Sequence, residues 1–284
     1  MSKRSFTRRI RKLPVFILLS LVAILYFVPI YWMTISSFKG DSQIFSNTDL
    51  IPKALTLESY VQLFTGGPYS TSHFFRWYAN TLIMTAGYVL ASLITCTLGG
   101  YAFAQYSFRF KNLIFLTILM TQMIPFHLTV IPLFRLINTF RIVDTYVGGF
   151  LPIAVSPFGL LFMRQIMKGI NKDLMDAARV DGSSEIGVFF RVVLPVVKPG
   201  LAAMTIYFSM EYWNNLLWPL IALRSEDKLP LAVGIASLVN QYRPRYGMVM
   251  AASTLATIPI IVIFLLMQKQ FYEGMGAMAT IVEK

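Results

Sequence analysis

The stretch Ile170–Gly200, INKDLMDAARVDGSSEIGVFFRVVLPVVKPG, is a long polar interruption in the apolar second half of the chain. Asn171 is placed to cap a helix that begins at Lys172. Asp173 falls in the first turn of that helix, where the helix dipole favours an anion. The start of the stretch therefore predicts a short helix with a defined first residue.

The rest of this stretch predicts a turn and a second helix. Asp181–Gly182 is typical of a turn, because glycine tolerates the left-handed conformation that ends a helix. Ser183 or Ser184 can cap the next short helix, and Pro195 and Pro199 stand where a following helix would begin. The pattern predicts helix–turn–helix between two membrane spans.

The composition indicates a polytopic membrane protein. Of 284 residues, 56% are hydrophobic and 13% are charged, and the mean hydropathy is +0.62. Soluble domains carry about a quarter of charged residues. The net charge of +12 does not imply a nucleic-acid partner, because basic residues of membrane proteins gather on the cytoplasmic side. The single cysteine, Cys96, excludes an intrachain disulfide.

Six apolar runs are long enough to cross a bilayer, which takes about 20 residues. We expect interruptions at glycines in the second run and at Pro152 and Pro157 in the fourth, and the third run carries Pro125. The predicted fold class is all-α, with six transmembrane helices and a cytoplasmic helical loop. The runs are Leu13–Ile35, Trp77–Tyr106, Leu113–Leu133, Tyr146–Met167, Pro199–Leu223 and Gly247–Phe271. The second run contains Gly87, Gly99 and Gly100, and Arg135–Asp144 and Arg224–Tyr246 are expected to be polar loops.

The segments follow from these runs and from the positions of the basic residues. Sixteen of the 25 Lys and Arg residues fall on one side of the six-span arrangement and nine on the other. This asymmetry predicts that both termini and the loop 170–200 are cytoplasmic. The predicted segments are a basic cytoplasmic N-terminus (1–12), a first transmembrane helix (13–36), an extracytoplasmic segment (37–76), a transmembrane domain of five helices (77–272) and a cytoplasmic tail (273–284).

The fifth run carries a carboxylate, Glu211, near mid-membrane. A charge at that depth costs about 2.5–3.5 kcal/mol or more, so it faces water, a ligand or a polar partner. Glu211, Asn214, Asn215 and Trp218 are spaced i, i+3, i+4, i+7, which predicts one helix face. Such a face suits a sugar, and a hydrogen-bonded contact with another helix is an equal alternative. Asn80 in the second run is a weaker candidate, for which packing is the alternative.

Motifs of enzymes and metal sites are absent from the sequence. It contains no G-x-x-x-x-G-K-[ST], no H-E-x-x-H and no C-x-x-C pattern. The two histidines, His73 and His127, are far apart in sequence, and one imidazole does not make a metal site. We therefore predict no catalytic residues, no metal site and no cofactor bound by this chain.

The spacing within Ile170–Gly200 resembles the EAA loop of bacterial ABC-importer membrane subunits. The family pattern is E-A-A, three residues, G, nine residues, I, one residue, L-P, and here Asp replaces Glu and Val replaces Ile. Without the resemblance, the stretch would be an ordinary cytoplasmic loop with helical character. The resemblance implies docking to an ATPase through Asp176, Ala177, Ala178, Asp181, Gly182, Leu194 and Pro195.

The resemblance covers nearly the whole chain and points to the carbohydrate-uptake branch, of the maltose-transporter type, and to its shorter six-span subunit. It rests on Trp77–Leu82, Met123–Pro125 with Ile131–Leu133, Asp181–Gly182, Trp213–Asn214 and Gln270–Ala277. It implies an importer in the bacterial inner membrane, with alternating access in the bilayer. After Gly276 the tail departs from the family's G-[AG]-V-K-G ending.

The resemblance also implies the partners. They are a second permease in a heterodimer, a dimer of ABC ATPases that bind ATP and magnesium, and an extracytoplasmic sugar-binding protein. The competing hypotheses are an ion-coupled secondary carrier with Glu211 as relay and a membrane assembly protein without transport. A secondary carrier should show internal repeats, and none is evident in the sequence.

Overall fold

The computed structural model describes residues 3–46, 55–66, 73–239 and 245–282, and it describes the side chains of residues 14–45, 55–66, 73–239 and 245–269. All secondary structure in these ranges is helical, which confirms the predicted fold class. The α-helices are α1 (Lys3–Ser36), α2 (Asp41–Ser46), α3 (Glu58–Thr65), α4 (Phe74–Gln105), α5 (Lys111–Met120), α6 (Phe126–Thr139), α7 (Tyr146–Phe150), α8 (Pro157–Lys168), α9 (Lys172–Val180), α10 (Glu185–Val188), α11 (Leu194–Val196), α12 (Lys198–Trp213), α13 (Leu217–Ala222), α14 (Leu231–Val239) and α15 (Tyr246–Val282). Single turns of 3₁₀-helix occur at Thr121–Met123, Leu151–Ile153 and Glu226–Lys228, and a π-turn at Phe189–Val193.

Three unbroken helices are long and apolar enough to cross a membrane, at Pro14–Ser36, Phe74–Gln105 and Tyr246–Lys269. Three more candidate spans are bent pairs of helices. The pairs Lys111–Met123 with Phe126–Thr139, Tyr146–Ile153 with Pro157–Lys168, and Glu185–Val196 with Lys198–Trp213 bend by 107°, 57° and 74°. Counting each pair as one span gives up to six candidate spans, the number predicted from the sequence. In the last pair, Glu185–Val196 belongs to the predicted cytoplasmic loop and only Lys198–Trp213 overlaps the predicted fifth span.

The fourth span breaks at Pro152 and Pro157 as predicted, and the third also breaks at Pro125, but the glycines of the second span do not interrupt it. The chain breaks before Pro125 and between the turn containing Pro152 and the start of α8 at Pro157. In contrast, α4 runs through Gly87, Gly99 and Gly100 without interruption. A Cβ at Gly87 would lie 2.6 Å from the Phe150 ring, and one at Gly100 would lie 2.8 Å from Met163. These glycines therefore let neighbouring helices approach α4 closely.

Two predicted polar loops are wrong because apolar residues continue through them. Helix α6 extends to Thr139, so Arg135 is helical, and Ile137 is buried with Trp218 and Ala222. The segment expected to be a loop before Tyr246 contains α14. The amide of Leu231, at the start of α14, donates to Thr81 Oγ1 over 2.7 Å.

The fifth and sixth spans also differ from their predicted bounds. Helix α12 ends at Trp213 rather than continuing to Leu223, and the separate short helix α13 follows. Helix α15 passes through Pro259 and continues to Val282, so the described part of the predicted tail is helical.

The chain divides into two compact units, residues 1–74 with 235–258 and residues 75–234 with 259–284. In the first unit, the short helices of the segment 37–76 pack on the end of α1 and the start of α15. The Tyr60 ring lies 5.2 Å from Phe38, and Asp41 Oδ1 accepts a 2.6 Å hydrogen bond from the Gly247 amide. The second unit has its core between α4, α8 and α12, and it contains both candidate functional regions.

Candidate functional site

The first region is the EAA-like loop, Ile170–Gly200, and its caps form as the sequence predicts. Asn171 Oδ1 accepts a 3.0 Å hydrogen bond from the Asp173 amide at the start of α9. Gly182 has φ +82°, the left-handed conformation expected of the turn. Of the two candidate serines, Ser184 caps α10 by accepting from the Gly187 amide over 3.2 Å. The helix–turn–helix prediction is confirmed.

The second helix of the loop, α10, continues into a π-helical turn before the membrane helix α12 begins. A π-turn over Phe189–Val193 joins α10 to α11. Pro195 lies in the turn that follows, and its missing N–H removes one ordinary helical hydrogen bond. Val188, Phe189 and Val193 are buried there. The proline was recognised in the sequence, but the π-turn was not.

An arginine and a glutamate that the sequence analysis did not single out join the two loop helices. Arg179 lies 2.5 Å from Asp176 in the same helix. Its Nε and Nη2 donate to the two oxygens of Glu185 in α10, over 2.7 and 3.2 Å. Tyr106, just after α4, donates to Glu185 over 2.9 Å. Hydrogen bonds to Glu185 and, with a smaller effect, to Asp176 raise the pKa of Arg179. Its guanidinium group therefore stays charged at any physiological pH.

The loop rests on the membrane helices and leaves one apolar side exposed. Met175 is buried, and Ala178 packs against the same core as Leu194. Leu174, Ala177 and Val180 are exposed and spaced three apart, so they share one side of α9. Val180 is 88% exposed and Ile186 in α10 is 72% exposed. We call Leu174, Ala177, Val180 and Ile186 the loop patch.

The other predicted loop residues divide by exposure. Asp176, Asp181, Gly182 and Pro195 are exposed, whereas Ala178 and Leu194 are half-buried. The end of α8, which precedes the loop, is hydrogen-bonded to α4. Gln105, the last residue of α4, donates to the Met167 carbonyl of α8 over 2.6 Å. The exposed group can meet a partner, while Ala178 and Leu194 anchor the loop.

The second region is a cavity of about 410 Å³ that lies where the helices break. Its walls come from α4, from the break between α5 and α6, from the break before α8 and from the end of α12. Broken helices at membrane depth are tolerated where they line a cavity. Its polar lining residues are Tyr88, Thr121, Gln122, Thr129, Glu211 and Asn215.

Glu211 and Asn215 both line this cavity, but the predicted single helix face is wrong. Because α12 ends at Trp213, the residues that follow leave the helical spacing. Asn215 Oδ1 instead accepts from the Trp218 amide over 3.2 Å. Asn214 does not line the cavity, and its side chain donates to the Met210 carbonyl of its own helix over 2.8 Å.

Trp218 and Asn80, also predicted for the substrate path, are structural. Trp218 is 0% exposed, and its Nε1 donates to the Gly148 carbonyl over 3.1 Å. Asn80 is 2% exposed and donates to the carbonyls of Asp227 and Leu229 over 2.9 and 3.0 Å. It also accepts from Tyr146 over 2.8 Å. The polar groups of these side chains form hydrogen bonds within the chain, an arrangement that is consistent with the packing alternative for Asn80.

One structural carboxylate, Asp144, was missed because it stands alone in sequence. It accepts from the amides of Arg224 and Ser225, each over 3.0 Å, and from Lys228 Nζ over 3.2 Å. Burial acts to raise its pKa, but hydrogen bonds from Ser225, Arg224 and Lys228 outweigh that effect and lower the pKa of Asp144 well below its ordinary range. Asp144 therefore fixes the loop after α13 in its ionised form. Its only sequence signal is an acid beside a turn.

The described residues contain no cluster of three or more His, Cys, Asp or Glu side chains that could hold a metal ion. Residues 96–276 match the family described as the binding-protein-dependent transport system inner membrane component. This match includes both the EAA-like loop and the residues of the cavity from Thr121 onward.

Two curated relatives align with almost the whole chain. The arabinooligosaccharides transport system permease protein AraQ of Bacillus subtilis (strain 168) is 38% identical over 90% of both chains. The lactose transport system permease protein LacG of Rhizobium radiobacter is 33% identical over 94% of this chain and 96% of its own length.

A solved structure shows the same fold. A chain of a bacterial ABC transporter that imports the acidic polysaccharide alginate superposes with a TM-score of 0.81 at 23% identity, covering 95% of this chain and 99% of that one. A second structure of the alginate transporter, in complex with an alginate-bound periplasmic protein, gives a TM-score of 0.63 at 17% identity.

Proposed function

Because this chain belongs to the family of binding-protein-dependent transport system inner membrane components, we propose that it is a permease subunit of an ATP-driven importer of oligosaccharides. The curated relatives of arabinooligosaccharide and lactose transport support the substrate class. The observation that carries the proposal is the EAA-like loop, which forms a rigid helix–turn–helix with apolar residues turned outward. An ion-coupled carrier has no need of such a surface.

The loop patch docks to an ABC ATPase. Exposed apolar side chains on a polar loop mark an interaction surface. Val180 and Ile186, the most exposed of them, lie on either side of the turn at Gly182, so both helices contribute to the contact. Asp176, Ala177, Asp181 and Pro195 are also exposed, while Ala178 and Leu194 hold the loop on the span behind it. ATP and magnesium belong to the ATPase, and this chain binds no cofactor.

The cavity forms one wall of the translocation path. Glu211, Asn215 and Gln122 supply acceptors and donors for sugar hydroxyls, and Tyr88 and Phe126 supply aromatic rings for the apolar face of a sugar. Glu211 is exposed in the isolated chain. Because an ionised carboxylate facing lipid is costly, the open side of the cavity faces a second permease in a heterodimer. An extracytoplasmic sugar-binding protein delivers the substrate, with both termini of this chain in the cytoplasm.

The docking proposal is tested by placing a charge on the loop patch. Val180→Asp changes a side chain that is 88% exposed, so the fold should tolerate it. A carboxylate buried in an apolar contact without a partner is strongly unfavourable, so we expect loss of ATPase binding and of oligosaccharide uptake. The measurement is ATPase recovery with the purified permease pair, together with uptake at equal membrane levels.

Asn112→Asp provides the control for this experiment. It adds the same carboxylate at an exposed position on the same predicted side of the membrane, outside the loop. The control should keep both ATPase binding and uptake. Normal ATPase recovery and uptake with Val180→Asp would exclude the loop patch as the docking surface.

A further inference from the structure

Four basic residues lie near the predicted cytoplasmic ends of α5 and α8. Lys111 begins α5, Arg164 and Lys168 lie one turn apart near the end of α8, and Lys172 begins α9. The Arg164 guanidinium lies 4.0 Å above the Phe115 ring and donates to the Phe103 carbonyl over 3.3 Å. These contacts place the end of α8 against the start of α5. We call Lys111, Arg164, Lys168 and Lys172 the basic cluster.

Within the described part of the chain, no carboxylate forms an ion pair with the basic cluster. Lys111 lies within electrostatic reach of each of the other three members. Lys111 donates to the Tyr106 carbonyl over 2.6 Å, which satisfies only one of its three protons. Asp173 is adjacent in sequence and supplies one negative charge against four positive ones. Like charges held together favour an anion from outside the chain.

An apolar surface begins directly beside these cations. Leu113, Ile114 and Leu116, in the first two turns of α5, are 61%, 43% and 48% exposed. Beneath them, Phe103, Phe115 and Leu160 form a buried cluster that fixes α5 on the neighbouring helices. A ligand that fits the whole surface has an anionic head at the helix end and apolar chains along α5.

We propose that the basic cluster binds the headgroup of an anionic phospholipid of the cytoplasmic leaflet, with its acyl chains on the exposed face of α5. Basic residues at the cytoplasmic ends of membrane helices attract anionic lipids, and a pocket between helices can hold one headgroup. Free phosphate would use the cations but not the apolar face of α5. An acidic surface of the ATPase would also match the cations, but the apolar residues beside them are at membrane depth. The inference rests on the proposed cytoplasmic orientation.

The test uses the assembled transporter in nanodiscs of phosphatidylcholine that contain a minor fraction of phosphatidylglycerol with the same acyl chains. Lipids that stay bound are counted by native mass spectrometry. The double variant Lys168→Gln with Lys172→Gln removes two exposed cations and leaves the half-buried Arg164 in place. The control, Arg191→Gln with Lys198→Gln, removes two exposed cations on the same side outside the cluster.

We expect the wild type and the control to retain phosphatidylglycerol in preference to phosphatidylcholine, and the cluster variant to lose that preference. Inorganic phosphate should not displace the lipid. Equal retention by all three proteins would overturn the proposal, as would displacement by phosphate or equal loss in the control. Loss of the ATPase from the cluster variant with phosphatidylglycerol retained would assign the cluster to the ATPase instead. Uptake by the wild type is scored separately, so failure of the transport function is distinguishable from failure of the lipid site.

Discussion

Glu211 lines the cavity and lies two residues before Trp213, the last residue of α12. The break after Trp213 places Asn215 in the same lining but leaves Asn214 on the helix end, where it bonds Met210. Counting residues on a regular helix could not separate these two asparagines, because the spacing rule holds only while the helix continues. The cost of a charge in the membrane predicts that Glu211 faces a polar environment. It does not predict that Asn215 lines the cavity and Asn214 does not.

Glu211→Gln tests whether the cavity contacts the sugar. Glutamine keeps the shape and removes the charge, and a hydrogen bond to a charged group contributes about 1.5–3 kcal/mol. We therefore expect uptake or substrate affinity to fall by roughly tenfold or more, since about 1.4 kcal/mol corresponds to tenfold. The measurement is concentration-dependent uptake of several oligosaccharides, beside recovery of the complex from detergent.

Asn214→Ala provides the matched control, because Asn214 is exposed and lies outside the cavity lining. Its uptake should remain near that of the wild type. If Glu211→Gln instead weakens recovery of the complex and leaves selectivity alone, Glu211 is a contact between helices of the two permeases. A variant that is normal in uptake, selectivity and assembly would contradict both roles.

At the scale of elements, hydrogen bonds between side chains join the two helices of the EAA-like loop. Arg179 in α9 donates to Glu185 in α10, and Tyr106, the residue after α4, also donates to Glu185. The caps at Asn171 and Ser184 and the turn at Gly182 follow from local chemistry, so the sequence predicts them. The hydrogen bonds between Arg179 and Glu185 form a bridge that depends on how closely α9 and α10 approach across the turn. Helix-capping and turn preferences do not predict that distance.

Arg179→Ala should uncouple transport from ATP hydrolysis. Arg179 and Glu185 are exposed, with side-chain exposures of 36% and 51%, so the stability of the protein should change little. Without the bridge, α9 and α10 can move separately when the ATPase pulls on the loop. We expect a several-fold lower ratio of sugar imported to ATP hydrolysed, measured in proteoliposomes.

Arg191→Ala is the control, since Arg191 is an exposed arginine of the same loop outside this bridge. It should leave the ratio unchanged. A normal ratio in the Arg179→Ala transporter would mean that the bridge has no part in coupling. A large drop in thermal stability would mean that its role is structural.

Tertiary packing accounts for most of what the sequence could not predict about the elements. Helices break at prolines 125, 152 and 157, where an amide is missing, but α15 continues through Pro259, so the proline alone does not decide the break. Glycines 87, 99 and 100 do not break α4, because the neighbouring side chains that approach them compensate for their low helix propensity. Helix α14 was missed because its apolar run of nine residues is too short to span a membrane, and its anchor at Thr81 is distant in sequence.

At the scale of the whole molecule, three proposals depend on one orientation. They are that the loop patch meets an ATPase, that the basic cluster meets the cytoplasmic leaflet, and that the segment 37–76 lies outside. The uneven distribution of 25 basic residues, sixteen against nine, predicts this orientation from sequence alone. The helices give three to six candidate spans, and they do not show which side of the membrane their ends face.

Single-cysteine labelling tests the orientation in a Cys96→Ser background. Cys96 is buried, with Sγ 3.4 Å from the Ser156 carbonyl, and serine can make the same contact. Arg109→Cys and Ser183→Cys lie at the predicted cytoplasmic ends of the helices, and Glu226→Cys lies in an exposed turn on the other side. In sealed cells an impermeant maleimide should label position 226, and it should label positions 109 and 183 only after the cells are opened. Labelling of position 183 in sealed cells would place the EAA-like loop outside, where it could reach neither an ATPase nor the cytoplasmic leaflet. Both proposals would then fail together, because the loop patch and the basic cluster lie on the same end of the helices.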